Sequence, residues 1–480
     1  MTAKGLELIL KIAFREMCVQ VCGGFASNEG DVAGYVDRRR GKYTAKWGVQ
    51  IAGMNFQTRS RTNSRREVAT MTVTGIIAEY NPFHNGHAYQ ILQARKQTGT
   101  DYIVVVMSGD YVQRGTPAIL EKHLRARMAL EHGADLVLEL PVRYSTASAR
   151  DFASGAVGIL DALGVVDTLC FGSESGDTSL LTQFARILLE EPSAYSRALQ
   201  NALKSGASYP LAHQHGMIAA WNAMFPDTCS EITDPKTFFS GPNNLLGMEY
   251  IRAILSLNSS IKPFAIRRTS DNYHSLRLEE RFCSATAVRQ ALLENRLSEL
   301  APYVPKSVFS MLSAFGADDG FQTDTRFLTE DDFSLVLKYR LLSLSAQELS
   351  AYLDYPESLA NRTLRNLQTF ETFSQFADLL KTKEITRARI NRALLHVILN
   401  LKKEMEAPHF IRVLGFRKEA APLLSAIKKN SHLPLAVKMA DIPSENWQTD
   451  LFASNLYHSV QAAKTKTRAV DERSIPIIIL

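Results

Sequence analysis

TVTGIIAEYNPFHNGHAYQ, Thr72 to Gln90, is the stretch whose reading decides the fold. Its opening is apolar and rich in β-branched residues, and Asn81 and Pro82 follow, so the spacing predicts a buried strand over Val73 to Ala78 that ends at a turn. His84 and His87 then lie three apart, on one face of a helix begun by Asn85 and Gly86. A helix start offers unpaired N–H groups and the positive end of a dipole, and two imidazoles beside it add donors, so the place suits a phosphate. Gly86 carries no side chain, which lets a flat base or ribose approach the backbone. Two plainer readings stand beside this one. The histidines would also serve as a metal pair, although zinc helices usually space ligands at i, i+4 and no neighbouring cysteine or carboxylate completes a shell. They would equally serve as polar residues satisfied at a helix cap.

From Met71 onward, short apolar segments alternate with helical periodicity. The expected strands are Val73 to Ala78, Tyr102 to Met107, Asp135 to Leu140, Thr168 to Phe171 and Pro263 to Arg267, with helices such as Leu120 to His132 and Ser179 to Leu189 between them. That alternation predicts an α/β fold with a doubly wound parallel sheet, whose ligand sits beyond the carboxyl ends of the strands. Ser193 to Met224 adds helix and is expected to pack as an insertion over the site.

The chain has 480 residues, 45% of them apolar, which is enough for two or three domains. A net charge of +6 is compatible with a polyanionic partner. Its five cysteines, Cys18, Cys22, Cys170, Cys229 and Cys283, are scattered without a C-x-x-C pair, which suggests reduced thiols and a cytoplasmic protein. No apolar run is long enough for a membrane span. Residues 1–70 differ from the rest: an amphipathic start from Leu6 to Val21 gives way to RRRGK and RSRTNSRRE. They read as a non-native or disordered extension, or else as a basic nucleic-acid arm.

Each strand end carries a candidate contact. After Tyr102 to Met107 comes SGDYVQRGTPAILEKHLRARMAL, where Lys122, Arg125 and Arg127 form either a solvated basic face or a surface for acid, pyrophosphate or RNA. CFGSESGD places Gly172 for close backbone approach and Ser173 or Ser175 for a ribose or phosphate, or simply makes a glycine turn. PNNLLGMEY brings Asn243 and Asn244 into a helix start, as caps or as an amide reading adenine. Of Arg267 and Arg268 only one can face the cleft, and Arg268 is chosen. In CSATAVRQAL, Ser284 and Thr286 open a helix that carries Arg289 within two turns.

Beyond residue 293 helical spacing dominates, over Val304 to Leu312, Asp331 to Leu344, Ala346 to Leu353, Leu359 to Leu380 and Ile385 to Leu401. Arg387, Arg389 and Arg392 stand near the start of the last of these, and Arg412, Arg417 and Lys418 follow around Phe410 and Phe416. Such clusters are a solvated face or an RNA surface. The expected organisation is therefore 1–70 extension, 71–292 α/β with the phosphate site, and 293–480 helical with a basic face open to RNA; the resemblance described next would make the second of these the ATP-binding catalytic domain and the third the tRNA-binding one.

The pairing of HNGH with the distant Ser284–Thr286 helix start resembles the adenylyl-transferring superfamily with the HxGH signature, in which His84 and His87 would hold phosphates and stabilise charge at the attacked α-phosphorus. Taken in order, EYNPFHNGH, MSGDYVQRG, ADLVLELP, FGSES, PNNLLGMEY, TRARINRALLH and IRVLGF resemble the bacterial tRNA(Met) cytidine acetate ligases over nearly everything beyond residue 70. The resemblance implies that ATP and acetate give acetyl adenylate and pyrophosphate, and that the acetyl group then passes to N4 of the wobble cytidine of elongator tRNA(Met). It implies catalytic His84 and His87, and ATP contacts from Ile77, Ala78, Glu79, Tyr80, Asn81, Pro82, Phe83, His84, Asn85, Gly86, His87, Ala88, Tyr89 and Gln90, with Gly172, Asn244 and Arg268. Ser284, Thr286 and Arg289 would grip the outer phosphates, and Mg²⁺ would share that work. Gln90 departs from the family pattern, which carries a basic or histidine side chain there. A small-molecule nucleotidyltransferase and a non-catalytic RNA-binding protein are the alternatives.

Overall fold

In a computed structural model of the chain, residues 71–207, 209–225, 238–239, 241–268, 284–316, 326–404, 409–438 and 448–480 are described. The expectations for residues 1–70 and for Cys18, Cys22, Cys229 and Cys283 lie outside them. The strands are β1 (Val73–Ala78), β2 (Tyr102–Ser108), a hairpin of β3 (Tyr111–Val112) and β4 (Thr116–Pro117), β5 (Leu136–Leu140), β6 (Thr168–Ser173), β7 (Lys262–Arg267), β8 (Ile411–Phe416), β9 (Leu435–Ala436) and β10 (Ile478–Ile479). All five expected strands form, and they pair in parallel in the order β5-β2-β1-β6-β7. The chain builds outward from β1 to β5, then crosses to the other side of β1 for β6 and β7. Such a reversal opens a crevice at the carboxyl ends of β1 and β6.

Strand alternation fills both faces of the sheet. Val73, Ile77, Val104 and Val106 pack on one side with the helices over Ala149–Ala162 and Thr178–Glu190, while Ile76, Ile103, Val105 and Met107 pack on the other. The helices that matter for the site are α1 (Asn85–Thr98), α2 (Lys122–Glu131), α3 (Ala149–Ala162), α4 (Thr178–Glu190), α5 (Pro242–Ser256), α6 (Ala285–Leu293), α7 (Arg387–Ile398) and α8 (Gln448–Thr465). The helices over Ser193–Lys204 and Tyr209–Met224 pack beside α4, where Trp221 meets Phe184 at 5.6 Å between ring centroids. The expectation that they cover the site is thus corrected, since apolar residues such as Tyr195, Met217 and Trp221 draw them into the sheet's core. The long helix expected over Leu359 to Leu380 is broken: Thr372 caps a new start by accepting from the Gln375 N–H at 3.2 Å.

The boundary expected at residue 293 does not divide the described residues, which from Met71 to Leu480 belong to one compact unit. Strand β8 pairs antiparallel with β5, and β9 and β10 pair with β8, which makes an eight-stranded sheet. A buried charge cluster ties this return to the core. Lys122 Nζ lies 2.7 Å from Glu139 and 3.2 Å from Glu472, while Arg412 lies 2.8 Å from Glu139 and 2.5 Å from Glu472. Ser454 of α8 also accepts from Lys122 at 2.6 Å, and His123 and His458 contact Glu472. Lys122 and Arg125 are therefore neither a solvated face nor a substrate surface, since both are fully buried; of that trio only Arg127 is exposed.

One turn after Lys122, the Arg125 guanidinium donates to the carbonyls of Leu120, Glu79, Ser108 and Gly109. The last three lie where β1 and β2 end, so a single side chain spends most of its donors fixing the crevice.

Burial alone would raise the Glu472 carboxyl, but Lys122, His123, His458 and Arg412 more than offset it and hold it well below the usual carboxylate range. A carboxylate depressed by folding adds stability above its unfolded pKa and loses it as pH falls. Glu472→Gln should therefore lower the unfolding free energy by about 3–5 kcal/mol at neutral pH. Its urea midpoint should also drop less steeply than that of the wild type below about pH 4.3. Denaturation followed by circular dichroism checks both, and equal acid slopes would refute the assignment.

Candidate active site

The crevice is a cavity of about 230 Å³ lined by both halves of the pattern found in the sequence: His84 and His87 from one, Ser284, Thr286 and Arg289 from the other. These segments are separated by two hundred residues of chain and meet because β1 ends beside the start of α6.

Strand β1 delivers Ile77 and Ala78 to the cavity, and Glu79, Tyr80 and Asn81 carry its lining on into the turn. Tyr80 adopts a left-handed φ of 47°, held by edge-on packing of its buried ring against Phe83 and His87, each at 4.9 Å. Asn81 accepts from the Ile119 N–H at 2.8 Å and its carbonyl receives Arg289 at 2.6 Å, which joins the turn to both neighbouring elements.

The histidines cap the helix and line the cavity at once. His84 is the N-cap of α1, its Nδ1 accepting from the Gly86 N–H at 3.1 Å, while His87 Nδ1 accepts from the His84 N–H at 3.3 Å. The two rings stack with centroids 3.7 Å apart. An Nδ1 that accepts leaves the proton on Nε2, so each neutral ring presents an N–H donor. Burial, with Arg268 and Arg289 nearby, lowers His84 to about 3. Burial, then His84 and Arg268, carries His87 well below its ordinary value as well. Both imidazoles are thus uncharged at neutral pH.

The opposite wall comes from β6, β7 and α5. Gly172 and Arg268 line it, and the Arg268 side chain lies over Gly172, where an added Cβ would come within 3.5 Å of it. Arg267 packs against Gly176 instead, so of the two arginines Arg268 is the one that lines the cavity. Ser173 and Ser175 serve the loop itself: Ser173 donates to Asn244 Oδ1 at 2.7 Å, and the Ser175 N–H reaches the same oxygen at 3.1 Å. Asn244 also donates to Phe238 O at 3.0 Å and is buried, so its amide holds this wall and Asn243 lines the cavity in its place. The cap of α5 comes from Glu174, whose carboxylate accepts from the N–H groups of Asn243 and Asn244.

Ser284 caps α6 through the Ala287 N–H at 3.1 Å, and Thr286 accepts from Arg289 at 3.1 Å. Gln90 lines the cavity, whereas Pro82, Phe83, Asn85, Gly86, Ala88 and Tyr89 do not. Phe83 is core, and Asn85 is spent on Pro302 and Tyr303. Gln113, Arg114 and Thr116 of the β3–β4 hairpin are lining residues that sequence reasoning missed. Their only signal was the glycine-marked loop SGDYVQRG beyond a strand end.

The expected RNA residues separate. Arg412 is buried in the charge cluster, and Arg392 is buried and bonded to Asp354 at 2.6 Å, so neither can meet a phosphate. Strand β8 runs opposite to β5, and the Arg417 N–H bonds Asp135 O, so Arg417 and Lys418 lie at the amino ends of the parallel strands, away from the cavity. Arg389 is exposed at the start of α7, and Arg387, paired with Asp378, lines a second cavity beside the first.

The model of the HIGH Nucleotidyl Transferase family matches residues 71–473, and that of a family of unknown function matches residues 10–69. The tRNA(Met) cytidine acetate ligase of Caldanaerobacter subterraneus subsp. tengcongensis is 38% identical over 396 residues, covering 81% of this chain and 95% of that protein. That of Halothermothrix orenii is 35% identical, covering 85% and 99%. Among solved structures, Thermotoga maritima TmcAL without ligand superposes with a TM-score of 0.77 at 32% identity, covering 85% of this chain and all of that one. The same protein bound with alpha-thio ATP gives 0.74 at the same identity and coverage.

A Cβ on Gly86 would sit 2.9 Å from His84 Cε1 and 3.0 Å from Nδ1, so Gly86→Ala must push the ring off its cap. Triphosphate affinity by calorimetry should fall about tenfold, the worth of one charge-assisted hydrogen bond. Histidine ring-proton spectra should show both rings neutral from about pH 8 down to about pH 5, because their pKa values lie below that window. A titration midpoint near 6.5 for either ring would contradict the donor assignment.

Proposed function

The chain belongs to the HIGH Nucleotidyl Transferase family and, within it, to the tRNA(Met) cytidine acetate ligases, and from that premise we propose that it activates acetate with ATP and acetylates N4 of the wobble cytidine of elongator tRNA(Met). The observation that carries this is the convergence of two neutral imidazoles and the Ser284–Arg289 helix start on one cavity. The ligand-bound Thermotoga maritima neighbour supports ATP as the occupant.

An acetate oxygen attacks the α-phosphorus, the bond from that phosphorus to the β-phosphate oxygen breaks, and pyrophosphate leaves. The Nε2–H groups of His84 and His87 meet the negative charge that builds on the phosphoryl oxygens, at little cost in reorganisation because the Nδ1 bonds already fix both rings. The α6 start, Thr286 and Arg289 take the departing phosphates, and Arg268 guards the opposite wall. N4 of cytidine then attacks the acyl carbon, AMP departs with the bonding pair, and the amine gives up a proton.

Mg²⁺ fits this donor set through Glu79, the carboxylate among the described lining residues, whose Oε1 accepts from the Gln113 N–H at 2.8 Å. When bound it would be held chiefly by phosphate and water and would neutralise the leaving group. Arg387 and Arg389 beside the second cavity are the basic residues best placed for tRNA. No helix among the described residues is long and apolar enough to cross a membrane, and a cytoplasmic place, where tRNA is found, completes the proposal.

With ATP, labelled acetate and bulk tRNA, label should enter tRNA as N4-acetylcytidine, and a protein that leaves tRNA unlabelled would defeat the proposal. His84→Ala should slow acetate-dependent pyrophosphate release about 10²–10³-fold, the range for one lost oxyanion donor. Arg389→Glu should raise the KM for tRNA several-fold and leave acetate-dependent ATP–pyrophosphate exchange alone.

A further inference from the structure

A second cavity, of about 360 Å³, adjoins the nucleotide cleft and shares Arg114, Thr116 and Arg289 with it. Its remaining walls are of two kinds. Ile119, Leu293 and Leu328 are apolar, and Glu330 and Asn391 are polar. Apolar walls close on the faces of a flat ring, while the polar groups are left to read its edge.

The Asn391 Oδ1 accepts from Arg387 Nε at 2.8 Å, which turns the oxygen toward that arginine and leaves the Nδ2–H donors to the rest of the pocket. The Glu330 carboxylate offers only acceptors, and its ion pair to Arg387 Nη2 is loose at 3.8 Å. Glu330 is the acidic residue among the described lining, and it faces a wall otherwise supplied with arginine and amide donors. A ring matching this set carries an amine at one point of its edge and acceptors at the next. Cytosine has that edge, whereas uracil would turn a carbonyl oxygen toward a carboxylate.

Resting on the function proposed above, we infer that the second cavity is the pocket for the acceptor cytosine, and that Glu330 accepts a hydrogen bond from its N4 amine and takes the proton when N4 is acylated. As the N4–carbon bond forms, the carbon–oxygen bond to AMP breaks, the electron pair leaves on the AMP phosphate, and one amine proton passes to the Glu330 carboxylate. No redox partner is required. Arg114 and Arg289, common to both cavities, stand between acyl donor and acceptor and bring the two substrates against the same side chains.

The test separates the half-reactions of the full-length protein. In Glu330→Gln, acetate-dependent ATP–pyrophosphate exchange should persist while acetyl transfer to tRNA falls about 10²-fold in kcat, the usual worth of a positioned base. A glutamine amide can turn and donate, so a tRNA with uridine at the acceptor position, used as competitor, should gain about tenfold in inhibition relative to the wild type. A folding defect would remove exchange and transfer together and leave that discrimination unchanged. Transfer at the wild-type rate, equal loss of both half-reactions, or unaltered discrimination against uridine would each overturn the assignment. Failure of the wild type itself to label tRNA would instead overturn the function on which it rests, and the pocket's assignment with it.

Discussion

Lys122 and Arg412 share Glu139 and Glu472 in the dark of the molecule, and the rest of the structure depends on that exchange. Its four members come from α2, β8, β5 and the turn after α8, so the cluster closes the chain's last hundred residues onto its first strands. Paired buried charges contribute little net stability, but any misplacement of one element strands an uncompensated ion, which makes the arrangement selective for a single register. What it selects is the position of α2. With Lys122 held, Arg125 lies one turn away and reaches the carbonyls of Glu79, Ser108 and Gly109, and with those carbonyls fixed the loop from Tyr80 to His84 has one path. A charge cluster outside the cleft thereby sets the geometry inside it.

This also explains which parts of the molecule could be read from residues alone. The five core strands were legible because β-branched runs bounded by Gly, Pro or charge report a local fact, burial on both faces. The cleft was legible because His84, His87, Ser284 and Arg289 carry chemistry at helix starts, another local fact. The cluster was not. Lys122 and Arg125 look like a basic face in sequence because Glu139 and Glu472, which neutralise the first, come from a later strand and from some three hundred and fifty residues on, and because the second is satisfied by carbonyls, which every residue has. Arg412 misled for the same reason, although its neighbours in IRVLGF are apolar enough to have suggested a buried strand. Asn244 could be assigned to the neighbourhood of the cleft from its helix start, but nothing local shows that Ser173, Ser175 and Phe238 use its amide.

The two histidines show how capping a helix and lining a cleft combine. A cap needs an acceptor aimed at backbone N–H groups, and a phosphate needs donors aimed outward; an imidazole with Nδ1 bound and Nε2 protonated supplies both. A serine or aspartate could cap this helix, but neither would then offer an N–H donor to the cleft. Neutrality matters as much as direction. Two imidazolium ions stacked at 3.7 Å would repel one another and the nearby Arg268 and Arg289, so the burial that keeps the rings uncharged allows them to sit this close.

The β3–β4 hairpin follows from the same economy of space. Gly115 at its tip has a φ of 77°, and a Cβ there would fall 2.3 Å from the Arg392 backbone nitrogen, so the hairpin lies directly on α7. Only a glycine tip permits that contact, and the contact is what makes the hairpin a wall with a cavity on each side. Arg114 and Thr116 flank the tip, and each therefore belongs to both cavities at once. A reaction in two steps, the first at the α-phosphorus and the second at the acyl carbon, would benefit from such a partition: the acyl adenylate would form with the second substrate excluded from the α-phosphorus, yet its carbonyl would lie only the width of the hairpin wall from attack. The burial of Arg392 against Asp354, which removed it from the RNA surface, is what leaves the backbone of α7 bare for the hairpin to rest on.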